Sequence, residues 1–294
     1  VNTSISMKKA DAFLSSPRHS LVMTHILNDF IVALNTSKIS ARELVDDCLA
    51  AIDNPEGEGQ RAFISTYHDR AQQQADMVDQ ARKRGWGVPK FAGIPLSIKD
   101  LFDEAGCVTK AGSTVLRAAT PAIQDASVVA RLKAAGFIVI GRTNMTEFAF
   151  SGLGTNVHYG TPRSPYERDP KNPEIGRVAG GSSSGSAVSI SDRMAVATIG
   201  SDTGGSTRAP AAFCGIVGFK PTTNRMPNHG IFPLSTSFDA AGPMGTTVGC
   251  CAILDSLMAG GDGQSVTPFP INKLRLAIPV GYLFDAVSYT HLTL

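Results

Sequence analysis

Apolar residues recur with helical spacing near the start of the chain. Between residues 40 and 55, the apolar positions that share one helical face are Leu44, Val45, Cys48, Leu49 and Ile52. Ser40 and Glu43 have the spacing of a capping box, in which each side chain accepts a hydrogen bond from the other residue's backbone N–H. This pattern predicts an amphipathic helix that begins after Ser40 and ends before the Asn54-Pro55 pair. A second, mostly polar helix is predicted over His68–Arg84.

Short apolar runs bounded by glycine and proline predict buried strands farther along the chain. Phe91–Ile98 is such a run, Asp125–Ala135 has helical character up to Gly136, and Phe137–Ile140 is a second run. Strand, helix and strand therefore alternate as they do in α/β proteins. We expect one α/β domain whose core is a mixed, mostly parallel sheet flanked by helices on both faces.

The second half of the chain continues this alternation. A helix and then a strand are predicted over 188–190 and 194–199, and Phe213–Thr222 has the composition of a further strand. A helix is expected from Thr246 to Met258, and Leu274–Val280 is expected to be a last strand. Residues 155–179 show no periodicity, which predicts an extended loop.

Composition and charge exclude several classes of protein. The 294 residues are 43% apolar and carry a net charge of +2, so there is enough core for a large domain and no basic patch that would indicate direct nucleic-acid binding. Five cysteines without metal-site spacing favour reduced thiols. No apolar run is long enough to suggest membrane association, and a cytoplasmic location is the expectation.

Candidate chemistry is concentrated in a glycine- and serine-rich stretch over residues 180–210. It begins Gly180-Gly181-Ser182-Ser183-Ser184-Gly185-Ser186-Ala187 and ends Gly200-Ser201-Asp202-Thr203-Gly204-Gly205-Ser206-Thr207-Arg208-Ala209-Pro210. Glycine pairs let a ligand approach backbone N–H groups closely, and several such groups directed at one point suit a developing oxyanion. A serine at the end of the run is a candidate nucleophile. Because the stretch holds no histidine, its base must come from elsewhere.

This stretch resembles the amidase signature family of serine hydrolases. A second motif far upstream, Gly93-Ile94-Pro95-Leu96-Ser97-Ile98-Lys99-Asp100, resembles the same family, and the similarity extends over roughly residues 21–285. The resemblance implies a Ser–Ser–Lys triad without histidine, in which Ser206 is the nucleophile, Ser182 the bridging serine and Lys99 the base. It also implies a cis peptide bond before Ser182.

The resemblance implies further roles in the same loops. The backbone N–H groups expected to hold the oxyanion belong to Thr203, Gly204, Gly205 and Ser206. Asp202 and Arg208 are expected to support the loops, and Ser183 to hydrogen-bond within the relay. Burial lowers the pKa of a lysine, which is how Lys99 would act as a neutral base. Residues 142–154 resemble the family segment that lines the substrate cleft.

The function implied by the resemblance is hydrolysis of a carboxamide C–N bond through an acyl-enzyme, with no metal or organic cofactor and a small-molecule amide as substrate. The shared motifs leave two alternatives open. One is the glutamine-hydrolysing A-subunit of an aminoacyl-tRNA amidotransferase, and the other is an allophanate- or biuret-type hydrolase. A homodimer and a complex with amidotransferase partner subunits both remain open.

A different interpretation starts from Gly181–Gly185, which matches the G-x-S-x-G nucleophile elbow of α/β-hydrolases. Ser183 would then be the nucleophile, with His229 and either Asp202 or Asp239 completing a triad. The segment before the elbow does not have the composition of a strand, and this hypothesis leaves the Gly-Gly-Ser run at 204–206 without a role.

Both ends of the sequence depart from the family pattern. We expect 1–285 to be the N-terminal part of a longer amidase domain, and 286–294 to be a foreign tail.

Overall fold

The computed structural model describes residues 26–169, 172, 175–264, 267 and 269–276. Helices in these ranges are α1 (Leu27–Asn35), α2 (Ala41–Asp53), α3 (Gly59–Ala62), α4 (His68–Lys83), α5 (Ser127–Ala134), α6 (Ser184–Ser191), α7 (Arg208–Cys214) and α8 (Val248–Met258). Strands are β1 (Phe63–Thr66), β2 (Pro95–Lys99), β3 (Ile138–Thr143), β4 (Ala197–Asp202), β5 (Val217–Gly218) and β6 (Ala240–Gly245). Short 3₁₀ turns cover Glu147–Ala149 and Ile271–Lys273.

The six strands form one sheet in the order β1-β3-β2-β4-β6-β5. Strand β2 lies parallel to both β3 and β4, whereas β1 is antiparallel to β3, and β6 is antiparallel to β4 and β5. The predicted α/β class with a mixed sheet is confirmed. The expectation of mostly parallel pairing is wrong for the described strands. Helical crossovers produce parallel neighbours only at the centre, and the alternation in the sequence did not specify the direction of the outer strands.

The first predicted helix is confirmed as α2. The Ser40 side chain accepts a hydrogen bond from the Glu43 backbone N–H, and the Glu43 side chain accepts one from the Ser40 backbone N–H, which completes the predicted capping box. The predicted apolar face is buried in the core. Helix α4 is confirmed over His68–Lys83 and buries two alanines against the rest of the domain, so its small inner face explains its polar composition.

The predictions after residue 188 are partly corrected. The predicted strand over Phe213–Thr222 contains only the two residues of β5, because helix α7 continues through Cys214 and ends at Gly215, which adopts a left-handed φ of 69°. Of the predicted last strand, Leu274–Leu276 are irregular and the remaining residues lie outside the described ranges. The expected tail at 286–294 also lies outside them.

The five cysteines are free thiols, as the composition indicated. Cys214 is buried, and burial raises the pKa of its thiol to about 12. This fits the expectation that Cys214 packs as a small apolar residue.

The site is positioned by the parallel centre of the sheet. Strands β2 and β4 are neighbours and run in the same direction, so their carboxyl ends, at Lys99 and Asp202, emerge at one edge. Helix α6 packs over this part of the sheet, with residues 184–190 all buried. The predicted bridging serine, Ser182, comes two residues before the start of this helix. It is therefore expected near the edge of the sheet where β2 and β4 end.

Candidate active site

Lys99 is the last residue of β2 and is fully buried. Its Nζ donates hydrogen bonds to Ser182 Oγ at 2.6 Å and to Ser201 Oγ at 2.9 Å. Burial lowers the pKa of Lys99 to about 7, although the carboxylates of Asp202 and Asp239 act in the opposite direction and raise it. A lysine in this environment has a large neutral fraction at neutral pH, which is the form that accepts a proton.

Ser182 follows a cis peptide bond, between Gly181 and Ser182. Its carbonyl oxygen accepts a hydrogen bond from the Thr146 N–H at 3.1 Å, and the Gly181 N–H donates to the Gly152 carbonyl at 2.7 Å. Space at this point is very limited, since a Cβ at Gly181 would lie 2.5 Å from the backbone nitrogen of Gly154. Glycine at 181 therefore allows the backbone to pass close enough to bring Ser182 to Lys99.

Ser206 lies in the turn after β4 and is 9% exposed. Its carbonyl oxygen accepts a hydrogen bond from the Ser183 N–H at 3.2 Å, so its backbone is tied to the residue after Ser182. The Ser206 hydroxyl forms no hydrogen bond with any residue in the described ranges. The structure thus joins Lys99 and Ser182 through their side chains, and it joins the Ser206 turn to the Ser182 segment through the backbone.

Asp202 organises the turn that carries Ser206. Its buried carboxylate accepts hydrogen bonds from the backbone N–H groups of Gly205 at 2.8 Å, Thr207 at 3.1 Å and Arg208 at 3.3 Å. The Arg208 guanidinium donates two more, at 2.9 and 3.0 Å. Burial alone would raise the pKa of Asp202, but the bonds from Arg208, Thr207 and Gly205 outweigh it and hold that pKa below its usual value. An ionised Asp202 thus fixes the shape of the turn.

The expected oxyanion donors are not all available. The Gly205 N–H is already bonded to Asp202, so the structure removes Gly205 from the expected set. The N–H groups of Thr203, Gly204 and Ser206 form no hydrogen bond with a described residue. The sequence could not distinguish these positions, because the difference depends on which amide the Asp202 carboxylate reaches.

Ser183 does not have the surroundings of a nucleophile. It is fully buried, and its Oγ donates to the Ser201 carbonyl oxygen at 3.4 Å, which is a backbone group and not a side chain of the expected relay. His229, which the elbow hypothesis requires, has its Nε2 3.0 Å from Gln124 Nε2 at an exposed position. Neither observation supports a triad built on Ser183.

Two residues of the site have no role in the Ser–Ser–Lys arrangement that the sequence predicts. Ser201 holds the second hydrogen bond from Lys99. Asp239 accepts hydrogen bonds from the Thr203 hydroxyl and from the backbone N–H groups of Leu234 and Ser235, the latter two at 2.9 Å. The position of Ser201 immediately before Asp202, within the conspicuous motif, was a usable signal. Asp239 had been considered only as a member of the rejected elbow triad.

The strand end that carries Lys99 is held by a buried ion pair. Arg142 Nε donates to Asp100 Oδ1 at 2.7 Å, and both residues are at most 1% exposed. The other Asp100 oxygen accepts the Gly112 N–H at 3.1 Å. Because Asp100 follows Lys99 directly, this pair fixes the direction of the chain as it leaves β2.

A cavity of about 540 Å³ is lined in part by the predicted cleft segment. The residues that line it are Thr146, Glu147, Phe148, Phe150, Thr155, Asn156, Val157, Pro233 and Leu234. Thr146 contacts Ser182 through its backbone N–H, and Leu234 is connected to Thr203 through the Asp239 carboxylate. The wall of the cavity is therefore connected by hydrogen bonds to the segment of the proposed bridging serine and to the turn of the proposed oxyanion donors. None of the helices in the described ranges has both the length and the apolar character needed to cross a membrane.

Comparison with known proteins connects this geometry to a family. Residues 43–279 match the family described as Amidase. The chain is 39% identical to the AtzE component of 1-carboxybiuret hydrolase from Pseudomonas sp. (strain ADP), over 80% of this chain and 50% of that protein. It is 42% identical to the A-subunit of glutamyl-tRNA(Gln) amidotransferase from Synechococcus sp. (strain WH7803), over 84% of this chain and 50% of that protein.

The fold is also similar to that of a solved amidase structure. Native peptide amidase from Stenotrophomonas maltophilia superposes with a TM-score of 0.71 at 35% identity, covering 80% of this chain and 48% of that one. The chain thus spans about half the length of the relatives it matches.

Proposed function

The chain belongs to the amidase family, and from that membership we propose that the protein is a serine amidohydrolase that cleaves a carboxamide C–N bond. The observation that supports the proposal most directly is the 2.6 Å contact between Lys99 Nζ and Ser182 Oγ in a fully buried position. An amide carbonyl is a poor electrophile and a serine hydroxyl a weak nucleophile. The site must therefore supply a base, a place for the oxyanion and a proton for the leaving amine.

The first step activates Ser206. Neutral Lys99 accepts the proton of Ser182, and Ser182 accepts the proton of Ser206. Ser206 Oγ forms a bond to the carbonyl carbon, and the C–O π electrons move to oxygen. The low pKa of Lys99 supports this assignment, because an amine with the usual lysine pKa would be protonated at neutral pH and would have no lone pair to accept a proton.

The tetrahedral intermediate then collapses to an acyl-enzyme. The N–H groups of Thr203, Gly204 and Ser206 are the proposed oxyanion donors, and one such donor contributes about 3 kcal/mol to the transition state. The relay returns its proton to the nitrogen as the C–N bond breaks, which releases an amine or ammonia and leaves an ester on Ser206. Water, deprotonated through the same relay, attacks the ester and releases the carboxylic acid and the Ser206 hydroxyl.

The relatives support a second candidate. One is the A-subunit of a glutamyl-tRNA(Gln) amidotransferase and another is one of the subunits of 1-carboxybiuret hydrolase, so both names describe part of an assembly. The alternative proposal is that this chain also works with partner subunits, with glutamine or a biuret-type compound as substrate. In both cases the same three residues would perform the hydrolysis.

Ammonia release from a panel of glutamine, aliphatic, aryl and urea-derived amides tests the proposal on the full chain. We expect turnover of at least one amide, and losses of about 1,000-fold or more in Lys99→Ala, Ser182→Ala and Ser206→Ala, because residues of a triad act as a unit. Ser191→Ala, on the partly exposed end of α6, is the matched serine control and should retain the parental rate. Glutaminase activity that appears only with amidotransferase partner subunits would favour the second candidate. Full turnover by Ser206→Ala would exclude the mechanism.

A further inference from the structure

The cavity that Thr146 connects to Ser182, called here the side cavity, has an apolar wall. Five of its lining residues are apolar: Phe148, Phe150, Val157, Pro233 and Leu234. Phe150 is 81% exposed and Val157 is 90% exposed, so two large apolar groups of this wall face solvent. The Phe148 ring packs on Phe232 with centroids 5.6 Å apart, which holds this part of the wall in place. An apolar wall at this position suits a ligand with an apolar body.

The backbone of this wall adopts a conformation that is rare for its residues. Phe148 has a φ of 51° and Ala149 a φ of 61°, both in the left-handed region that L-residues other than glycine seldom occupy. The Phe148 N–H donates to the carbonyl oxygen of Ala111 at 2.9 Å, and Ala111 also has a left-handed φ of 51°. Tertiary contacts maintain such strain most often where the resulting geometry serves binding.

The charge of the side cavity comes from one residue. Glu147 is the only lining residue with an ionisable side chain, and no lysine or arginine lines the cavity in the described ranges. Glu147 Oε1 accepts a hydrogen bond from Ser113 Oγ at 2.6 Å and lies 2.9 Å from His158 Nε2. Glu147 Oε2 accepts no hydrogen bond from a described residue. Among the described lining residues, an entering ligand therefore meets one free carboxylate oxygen and no lysine or arginine.

We propose that the side cavity binds the part of the substrate next to the scissile carboxamide, and that it selects an apolar group carrying a hydrogen-bond donor or a positive charge over one carrying a carboxylate. This inference rests on the proposed amidase function, because it places the scissile amide at Ser206. Glu147 and Phe148 are then specificity-determining residues: Glu147 disfavours an anion and receives the donor, and Phe148 covers the apolar body.

Three 3-phenylpropanamides with different para substituents test the charge selection. The aminomethyl compound is cationic, the hydroxymethyl compound neutral and the carboxyl compound anionic at pH 8. Binding is measured by calorimetry on Ser206→Ala, which does not require turnover, and kcat/KM is measured on the parent chain. We expect the aminomethyl amide to bind about five- to tenfold tighter than the carboxyl amide, as for a partly screened charge pair.

Variants then assign the preference to particular residues. Glu147→Gln keeps the shape and should reduce the preference to less than about twofold, whereas Glu56→Gln, at an exposed position elsewhere, should leave it unchanged. Phe148→Ala should weaken the ring-bearing amides relative to propanamide. Tightest binding of the carboxyl compound, an unchanged preference in Glu147→Gln, or no binding of any compound would overturn the inference. Binding with the expected preference but no hydrolysis of these compounds or of any amide in the panel would leave the cavity assignment standing and contradict the proposed function.

Discussion

The Lys99 amine nitrogen and the Ser182 hydroxyl oxygen lie 2.6 Å apart, although 83 positions separate the two residues in the sequence. The parallel centre of the sheet explains this proximity. Strand β2 ends at Lys99 beside the end of β4, and the segment before α6 crosses the same edge with Ser182. Lys99 is fully buried there, so the fold determines both the position of the amine and the lowered pKa on which its proposed role as a base depends.

The first expectation concerns the pH dependence of the rate. Burial lowers the pKa of Lys99 to about 7, and only the neutral amine accepts the Ser182 proton. For an uncharged amide, kcat/KM should therefore rise with pH and level off above about 7, falling about tenfold for each unit below that value. Initial rates between pH 5 and pH 9 measure the profile. A rate that is constant from pH 5 to pH 8 would not fit a lysine base.

The second expectation concerns stability. An unfolded lysine has a pKa of about 10.4, so between pH 7 and that value the unfolded state binds more protons than the folded state. The buried lysine therefore destabilises the fold below pH 7, and this effect disappears as pH rises through the window. The advantage of Lys99→Met over the parent in free energy of unfolding should therefore be largest at and below about pH 7.

Denaturant unfolding of both proteins between pH 7 and pH 9 measures this difference. We expect the advantage of Lys99→Met to decrease by about 1 kcal/mol per pH unit as pH increases. A difference between the two proteins that does not change with pH would show that Lys99 has an ordinary pKa when folded.

The third expectation separates Asp239 from a purely structural role. Its carboxylate raises the pKa of Lys99 and also holds Thr203 and the 234–235 backbone. Asp239→Asn removes the charge and keeps the size, so the acidic limb of the pH–rate profile should shift to lower pH while kcat falls. Asp53→Asn, which changes an exposed carboxylate beside His68, is the control and should leave the limb in place. A lower kcat without any shift would mean that Asp239 acts through the loop alone.

The positions of the proposed triad residues were accessible from the sequence because they lie in long motifs. Lys99 ends an apolar strand run, and Ser182 and Ser206 flank a helix and a strand in the glycine-rich stretch. Ser201 lies in the same motif, which marks it as a candidate, but its bond from Lys99 depends on the register between β2 and β4 and was not accessible. The bond from the Gly205 N–H to Asp202 was hidden for a similar reason, because four adjacent amides differ only in the direction of each N–H.

The fold likewise has features that could be predicted from the sequence and features that could not. Helix α2 was predictable from its cap and its apolar face, both of which are local. The antiparallel outer strands and the two-residue length of β5 were not, because they depend on which neighbour each strand meets after the chain has crossed the sheet. Local chemistry thus identified the elements, whereas tertiary pairing decided their direction.

The fourth expectation tests Ser201, which has no role in the predicted Ser–Ser–Lys arrangement. Ser201 Oγ accepts the second hydrogen bond of Lys99 at 2.9 Å, which orients the amine toward Ser182. Ser201→Ala should lower kcat about tenfold, as expected for the loss of one buried hydrogen bond of about 1–1.5 kcal/mol, with little change in KM. Steady-state kinetics beside the Ser191→Ala control measures the effect. An unchanged kcat would remove Ser201 from the site.

The most direct test of the central claim is the position and rate of covalent labelling with a fluorophosphonate, which transfers phosphorus to an activated serine with loss of fluoride. Trypsin separates the candidates, since Ser206 lies in the peptide Met194–Arg208, and Ser182 and Ser183 lie in Val178–Arg193. We expect the adduct on Ser206 by tandem mass spectrometry, with labelling at pH 7.5 at least about 100-fold slower in Lys99→Ala. An adduct in Val178–Arg193, or an equal rate in Lys99→Ala, would contradict the account.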